Sequence, residues 1–202
     1  TLDQMELLVR GRRSVRQYRD EDIDKDLLAR LLRALANAPT GVNRRELAFR
    51  LVDDRRVMQR LRERLYHAAT AAVKAGTLAA DSGVARFAAT YRESGRDIVL
   101  RGAPHVLLVS APPDAPCGQE DVALALAYFE LLAQAAGLGT VWCGLLRMSL
   151  EALPQLKPLF GVPPDHHYYA MLFGPPAVRY ARTVQRDDAA PVHRIRLARR
   201  RR

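Results

Sequence analysis

Val122 to Leu146 reads VALALAYFELLAQAAGLGTVWCGLL, an almost unbroken apolar run. Its length alone would permit a membrane span. Glu130 and Gln134 interrupt it, however, and Gly137-Leu138-Gly139 divides it into a helix and a following strand. A central core helix handing over to a core strand is a globular arrangement, and the flanking sequence agrees. His105 to Ala111 is a buried strand of Val and Leu, and Tyr168 to Phe173 a second one stopped by Gly174-Pro175-Pro176. Leu47, Phe49 and Leu51 alternate with Ala48 and Arg50, the period of a half-buried strand. Asp24 can cap a helix in which Leu27, Leu28, Leu31, Leu32 and Leu35 recur at helical spacing until Pro39. Val57 to Lys74 reads as a long helix, and Ala79 to Arg96 as a helical segment with Gly83 and Gly95 as breaks. Ser149 or Glu151 opens a short helix that ends by Pro163. Roughly four strands mixed with helices, without regular βαβ alternation, indicate an α+β layer structure. With no repeat and no low-complexity linker, residues 1–202 are expected to form one domain, its basic tail 194–202 solvated and mobile.

Composition narrows the function classes. Hydrophobic residues make up 49% and charged residues 27%, proportions that let a chain of this length bury a core. The net charge of +10 is carried almost wholly by arginine, lysine occurring only at Lys25, Lys74 and Lys157. That charge is diffuse and has no interleaved aromatics, which argues against nucleic acid. Cys117 and Cys143 are too few for a disulfide framework or a four-ligand metal site, and no leader opens the chain, so a reducing, cytoplasmic setting is expected. His166 and His167 are adjacent and would point to opposite faces of a strand, which leaves no metal site in view.

Two segments suggest chemistry. Arg12-Arg13-Ser14-Val15-Arg16 clusters three guanidiniums and a hydroxyl after the amphipathic stretch Met5 to Val9. Ala38-Pro39-Thr40-Gly41-Val42-Asn43 is a helix exit leading into an exposed loop. The planar fork of arginine grips phosphate or a carbonyl edge bidentately, so the two read together as a site for a flat, phosphate-bearing cofactor. The glycine-rich dinucleotide turn, the P-loop, the zinc-protease helix and the hydrolase elbow are all missing. Cys143, between Trp142 and Gly144, reads as packing and not as a nucleophile. Chemistry would therefore be brought by a cofactor.

At these residues the sequence resembles the FMN-dependent nitroreductase family. Arg12 to Arg16 with Tyr18 is similar to its opening signature, and Ala38 to Asn43 to its second motif. Ala136-Gly137-Leu138-Gly139-Thr140-Val141-Trp142-Cys143-Gly144 is similar to its third. Phe173 to Pro176, with Arg179, Tyr180, Arg182 and Arg186, resembles its terminal segment. The resemblance implies a mostly antiparallel sheet flanked by helices, in a homodimer with FMN at the subunit interface. It implies that Arg12, Arg13 and Ser14 hold the phosphate and ribityl chain while Arg16 sits by the pyrimidine edge. Pro39, Thr40, Gly41 and Asn43 would come from the partner subunit, and Trp142, Cys143 and Gly144 would pass the reactive edge of the ring. Arg186, with Arg182, would close on the phosphate.

The activity so implied is transfer of reducing equivalents from NAD(P)H, or a ferredoxin-type donor, through FMN to small nitroaromatic, quinone or related acceptors. Arg16 would stabilise charge electrostatically, and the protein would supply no other catalytic group. The alternatives are a flavin-consuming or dehalogenating member of the superfamily, or a non-catalytic flavin- or nucleic-acid-binding protein. Arg44 and Arg45 stand where the family often has Gln and Pro, which would favour anionic substrates at the pocket mouth. The stretch Arg101-Gly102-Ala103-Pro104-His105 resembles a subgroup often fused to a ferredoxin-like domain, which would lie before Thr1.

Overall fold

The computed structural model describes residues 1–183 and 190–195. In chain order its helices are α1 (Leu2–Gly11), α2 (Lys25–Leu35), α3 (Arg55–Lys74), α4 (Gly83–Ser94), α5 (Gly118–Ala135) and α6 (Gly144–Ala152). Its strands are β1 (Ala48–Val52), β2 (His105–Ala111), β3 (Gly139–Trp142) and β4 (His167–Gly174). They form one sheet in the order β1-β2-β4-β3, every neighbouring pair antiparallel. This is the α+β architecture with an antiparallel sheet expected from the sequence.

Successive strand residues face opposite sides, so β2, buried along its whole length, feeds two cores. Val106 and Leu108, with Ala170 and Leu172 of β4, meet the apolar faces of α3, α4 and α6. Leu107 and Val109, with Met171 and Phe173, meet α2 and α5. Asp24 caps α2 by accepting from Leu27 N–H at 2.8 Å, and Leu28, Leu31 and Leu35 form its buried stripe. Along α5, Ala125, Leu126, Phe129 and Ala133 are fully covered by the sheet. Among the described residues no helix is long and apolar enough to cross a membrane.

The apolar run departs from expectation at its end. The strand does not continue to Leu146: pairing stops at Trp142, Cys143 N–H makes one last bond to Ala170 C=O, and α6 begins at Gly144. A side chain at Gly144 would meet Tyr169 Oη at 2.9 Å, so glycine fits here without moving the tyrosine. Helical winding then buries Leu146 and Leu150, four apart, in the same core. The short helix expected from Ser149 or Glu151 is the end of α6 followed by a 3-10 segment, Pro154–Phe160.

Candidate functional site

β3 is an edge strand, and the chain covers that edge with its own Arg12–Arg16 segment. Val15 N–H donates to Thr140 C=O at 2.8 Å, and Ser14 bridges Thr140 in parallel register. Gly139 makes this approach possible, because a Cβ there would sit 2.6 Å from Val15. Covering an open edge satisfies backbone groups that water or another strand would otherwise take. The next residues are tied to the turn after β4: Arg19 N–H bonds Pro175 C=O at 2.9 Å, and Ala177 N–H bonds Gln17 C=O at 3.0 Å. The first, third and fourth sequence motifs thus meet at one sheet edge.

Their side chains are held differently. Arg12 Nη1 donates to Glu130 Oε1 at 3.0 Å, and Trp142 Nε1 donates to Glu130 Oε2 at 3.1 Å. Glu130 is 5% exposed, so this carboxylate ties an arginine of the first motif to the tryptophan of the third inside the protein. Arg13 Nη1 donates to Arg182 C=O at 2.8 Å, and its guanidinium lies 4.7 Å from the Tyr180 ring centre. Tyr180 Oη in turn donates to Ser14 C=O at 3.4 Å. Arg16 is exposed and borders a cleft of about 190 Å³ together with Arg101, Trp142, Cys143 and Gly144. Tyr18, beside it, donates to Val15 C=O at 2.6 Å, and burial raises its phenol above the ordinary range.

Cys143 is no nucleophile in this setting. Its thiol donates to Val99 C=O at 3.3 Å, and burial pushes its pKa up to about 12, so it stays protonated at neutral pH. No cluster of three or more metal-ligating side chains occurs among the described residues.

The second motif lies elsewhere. Gly41 N–H donates to the buried Asp121 carboxylate at 2.8 Å, at the start of α5, and a Cβ on Gly41 would strike Cys117 Sγ at 2.9 Å. Nine residues of α5 separate Asp121 from Glu130, about 14 Å at 1.5 Å per residue. Within one chain the loop therefore does not meet the Arg12–Arg16 segment. Thr40 Oγ1 is used internally, accepting from Arg45 N–H at 3.0 Å, while Pro39, Val42 and Asn43 are exposed. Val42, Asn43 and Arg45 all have φ between 46° and 55°. Arg44 is paired with Glu46 at 2.9 Å on the surface, and Arg45 beside it is exposed. Arg186 and residues 196–202 of the tail lie outside the described residues.

Two residues of the site carried little sequence signal. A lone carboxylate in an apolar helix was the only sign of Glu130. Arg101 stood in a stretch that resembles a family subgroup, but nothing in the sequence pointed it at the cleft.

The sequence pattern of the nitroreductase family matches residues 9–174. A curated iodotyrosine deiodinase from Thermotoga neapolitana is 28% identical over 141 residues, 66% of this chain and 70% of that protein. A solved nitroreductase with bound FMN from Bacteroides fragilis has 24% identity and a TM-score of 0.71, over 94% of this chain and 99% of that one. An FMN-dependent nitroreductase from Mycobacterium smegmatis, solved in complex with NADPH, has 22% identity and a TM-score of 0.62, over 88% and 90%. The two structural likenesses concern the fold.

Proposed function

Because the chain belongs to the nitroreductase family, we propose that it is an FMN-dependent oxidoreductase that passes reducing equivalents from NAD(P)H or a ferredoxin-type donor to nitroaromatic, quinone or related acceptors. The observation that carries this reading is the convergence of Arg16 with Trp142, Cys143 and Gly144 on one cleft. The FMN bound in the Bacteroides structure and the NADPH in the Mycobacterium complex support it by analogy.

The donor set fits a flat anionic group. Arg16 borders the cleft, no carboxylate lines it, and Arg16 makes no ion pair among the described residues. Arg12, Arg13, Ser14 and Arg182 would hold the phosphate in this reading, although Nη1 of Arg12 already meets Glu130 and Nη1 of Arg13 meets Arg182 C=O. FMN, when bound, supplies the redox chemistry. Arg16 would then sit by the ring's pyrimidine edge and stabilise the negative charge that develops there. Trp142, held against Glu130, would limit water at the ring. Gly144 would let the backbone approach the ring closely, and a Cβ there would crowd the Tyr169 hydroxyl.

The active form is a homodimer in this reading. The 39–43 loop presents Pro39 and Asn43 away from its own Arg12–Arg16 segment, free to complete a partner's site. Apolar Leu2, Met5, Leu7 and Val9 of α1, with Leu124 and Tyr128 of α5, stand exposed in the single chain and would be covered. Light scattering should report two chains, and a monomer carrying full FMN would end the shared-site part of the reading.

Purified protein should be yellow, with about one FMN per chain, and should bleach anaerobically on addition of NADH or NADPH. A colourless preparation that takes up no FMN on reconstitution would overturn the assignment. The likeness to the Thermotoga deiodinase favours reductive dehalogenation as a second reading, and release of iodide from iodotyrosine by the reduced protein tests it.

A further inference from the structure

Arg101 has φ +55°, in the left-handed region that L side chains rarely occupy. The fold fixes this conformation from both sides. Asp97 Oδ1 accepts from Leu100 N–H at 2.8 Å, and Asp97 Oδ2 accepts from Gly102 N–H at 2.9 Å, so one carboxylate grips the residues before and after Arg101. Asp97 is itself held by Arg62 Nε at 2.6 Å and by Tyr66 Oη at 2.7 Å. Arg62 Nη2 reaches on to Ala103 C=O at 3.1 Å, and Val99 N–H bonds Tyr66 Oη at 2.9 Å. The Asp97 side chain is 7% exposed, so the clamp is internal.

Glycine would make this turn without strain, as Gly102 does one residue later at φ +64°. A bulky cation stands here against backbone preference, and strain of that kind clusters at functional sites. Arg101 borders the same cleft as Arg16, between walls that include Val141, Trp142 and Leu145, and makes no ion pair among the described residues. In the reading above, which this inference rests on, Arg16 serves the cofactor. Arg101 remains without a task.

We propose that Arg101 is the specificity-determining residue for the second reactant, holding the carboxylate of an aromatic acceptor so that anionic acceptors are preferred over neutral ones. A guanidinium matches a carboxylate with two parallel N–H···O bonds, and the clamp at Asp97 fixes the direction from which that fork approaches. The carboxylate is gripped, not transformed, so no further reactant is needed.

Benzoate and benzamide share a ring and differ in charge, and neither is turned over. Each is titrated into the FMN-loaded protein, followed by the flavin bands, and into the FMN-free protein, followed by emission of Trp142, the chain's one tryptophan. The wild type should bind benzoate at least about tenfold more tightly than benzamide, the loss expected for one charge-assisted contact. Arg101→Asn tolerates the left-handed backbone and should bring the two ligands level, with benzamide affinity and melting temperature little changed. Arg101→Gly should do the same, and Arg101→Lys should keep part of the preference. Equal binding of both ligands by the wild type, or a preference that survives in the Asn and Gly variants, overturns the proposal. So does a variant that loses only NADPH affinity, since the cation would then serve the donor. A yellow, reducible protein with no benzoate preference defeats this inference alone, whereas a protein without FMN defeats the functional reading.

Discussion

The indole nitrogen of Trp142 donates to the buried carboxylate of Glu130 across 3.1 Å, while Arg12 donates to the other carboxylate oxygen at 3.0 Å. Glu130→Leu would leave both donors without their acceptor. Breaking a fully buried ion pair costs about 3–5 kcal/mol, but the Arg12 side chain is 39% exposed and can turn to water, so about 2 kcal/mol is expected here. Glu130→Gln keeps an acceptor for one donor and should cost about half as much. Urea unfolding measures the loss, and the emission maximum of Trp142 should shift in the Leu variant more than in the Gln variant. Wild-type stability and emission in Glu130→Leu would show that the contact contributes nothing.

The two thiols should differ sharply. Cys143 is buried, and its thiol is held protonated far above neutral pH, whereas Cys117 is half-exposed against the 39–43 loop. Because the thiolate is the reactive species, native protein at pH 8 should titrate one cysteine, identified as Cys117 by mass spectrometry, and two only after denaturation. Rapid labelling of Cys143 in the folded state would show that the N-terminal end of α6 opens.

His105 offers a pH dependence. Its Nε2 accepts from Ile23 N–H at 3.2 Å, so the ring proton sits on Nδ1, a fully buried atom with no partner among the described residues. Burial lowers its pKa, with Asp22 and Asp53 opposing more weakly. A depressed histidine pKa means that the unfolded chain, protonating near about 6.5, takes up protons first as pH falls. The contribution of His105 is thus constant above pH ~6.5 and is lost below it, by at most about 1.4 kcal/mol per pH unit. Unfolding free energies of wild type and His105→Leu, compared at pH 7.5 and 5.5, isolate this share. Equal pH slopes in the two proteins would rule it out.

The parts of the molecule that local sequence dictates were legible. The capped leucine stripe of α2 and the Val-Leu strand β2 follow from periodicity over a few residues, and the structure reproduces them. The break at Gly144 was not, because the Tyr169 hydroxyl that crowds this position comes from another strand. The same holds for the site. The arginine-rich segment could be picked out, yet its path along β3 depends on the fit of Val15 over Gly139. Glu130 joins Arg12 to Trp142 through tertiary contacts that no local pattern encodes. At Arg101 local preference points the wrong way, since arginine disfavours the conformation that Asp97 imposes on it.

Arg16 is the residue through which this fold would tune its cofactor, and its placement allows a separated test. It is exposed at the border of the cleft beside Trp142 and Cys143, whereas Arg13 is engaged with Arg182 C=O and the Tyr180 ring, and Tyr180 bonds Ser14 C=O. Removing Arg16 should therefore leave most FMN affinity in place while depriving the ring edge of its cation. The reduction potential should fall, and anaerobic reduction by nicotinamide should slow by about 10²-fold, the effect of losing one preorganised donor. Arg16→Lys should lie between, because a point charge cannot reproduce the planar fork. The opposite pattern, FMN lost with no change in the potential of what remains bound, would move Arg16 to the phosphate end of the site. Stopped-flow reduction of Arg16→Ala and Arg16→Lys, with potentials measured on the same preparations, decides between them. A wild-type rate and potential in both would leave Arg16 a solvated surface charge, and the electrostatic part of this reading would fall.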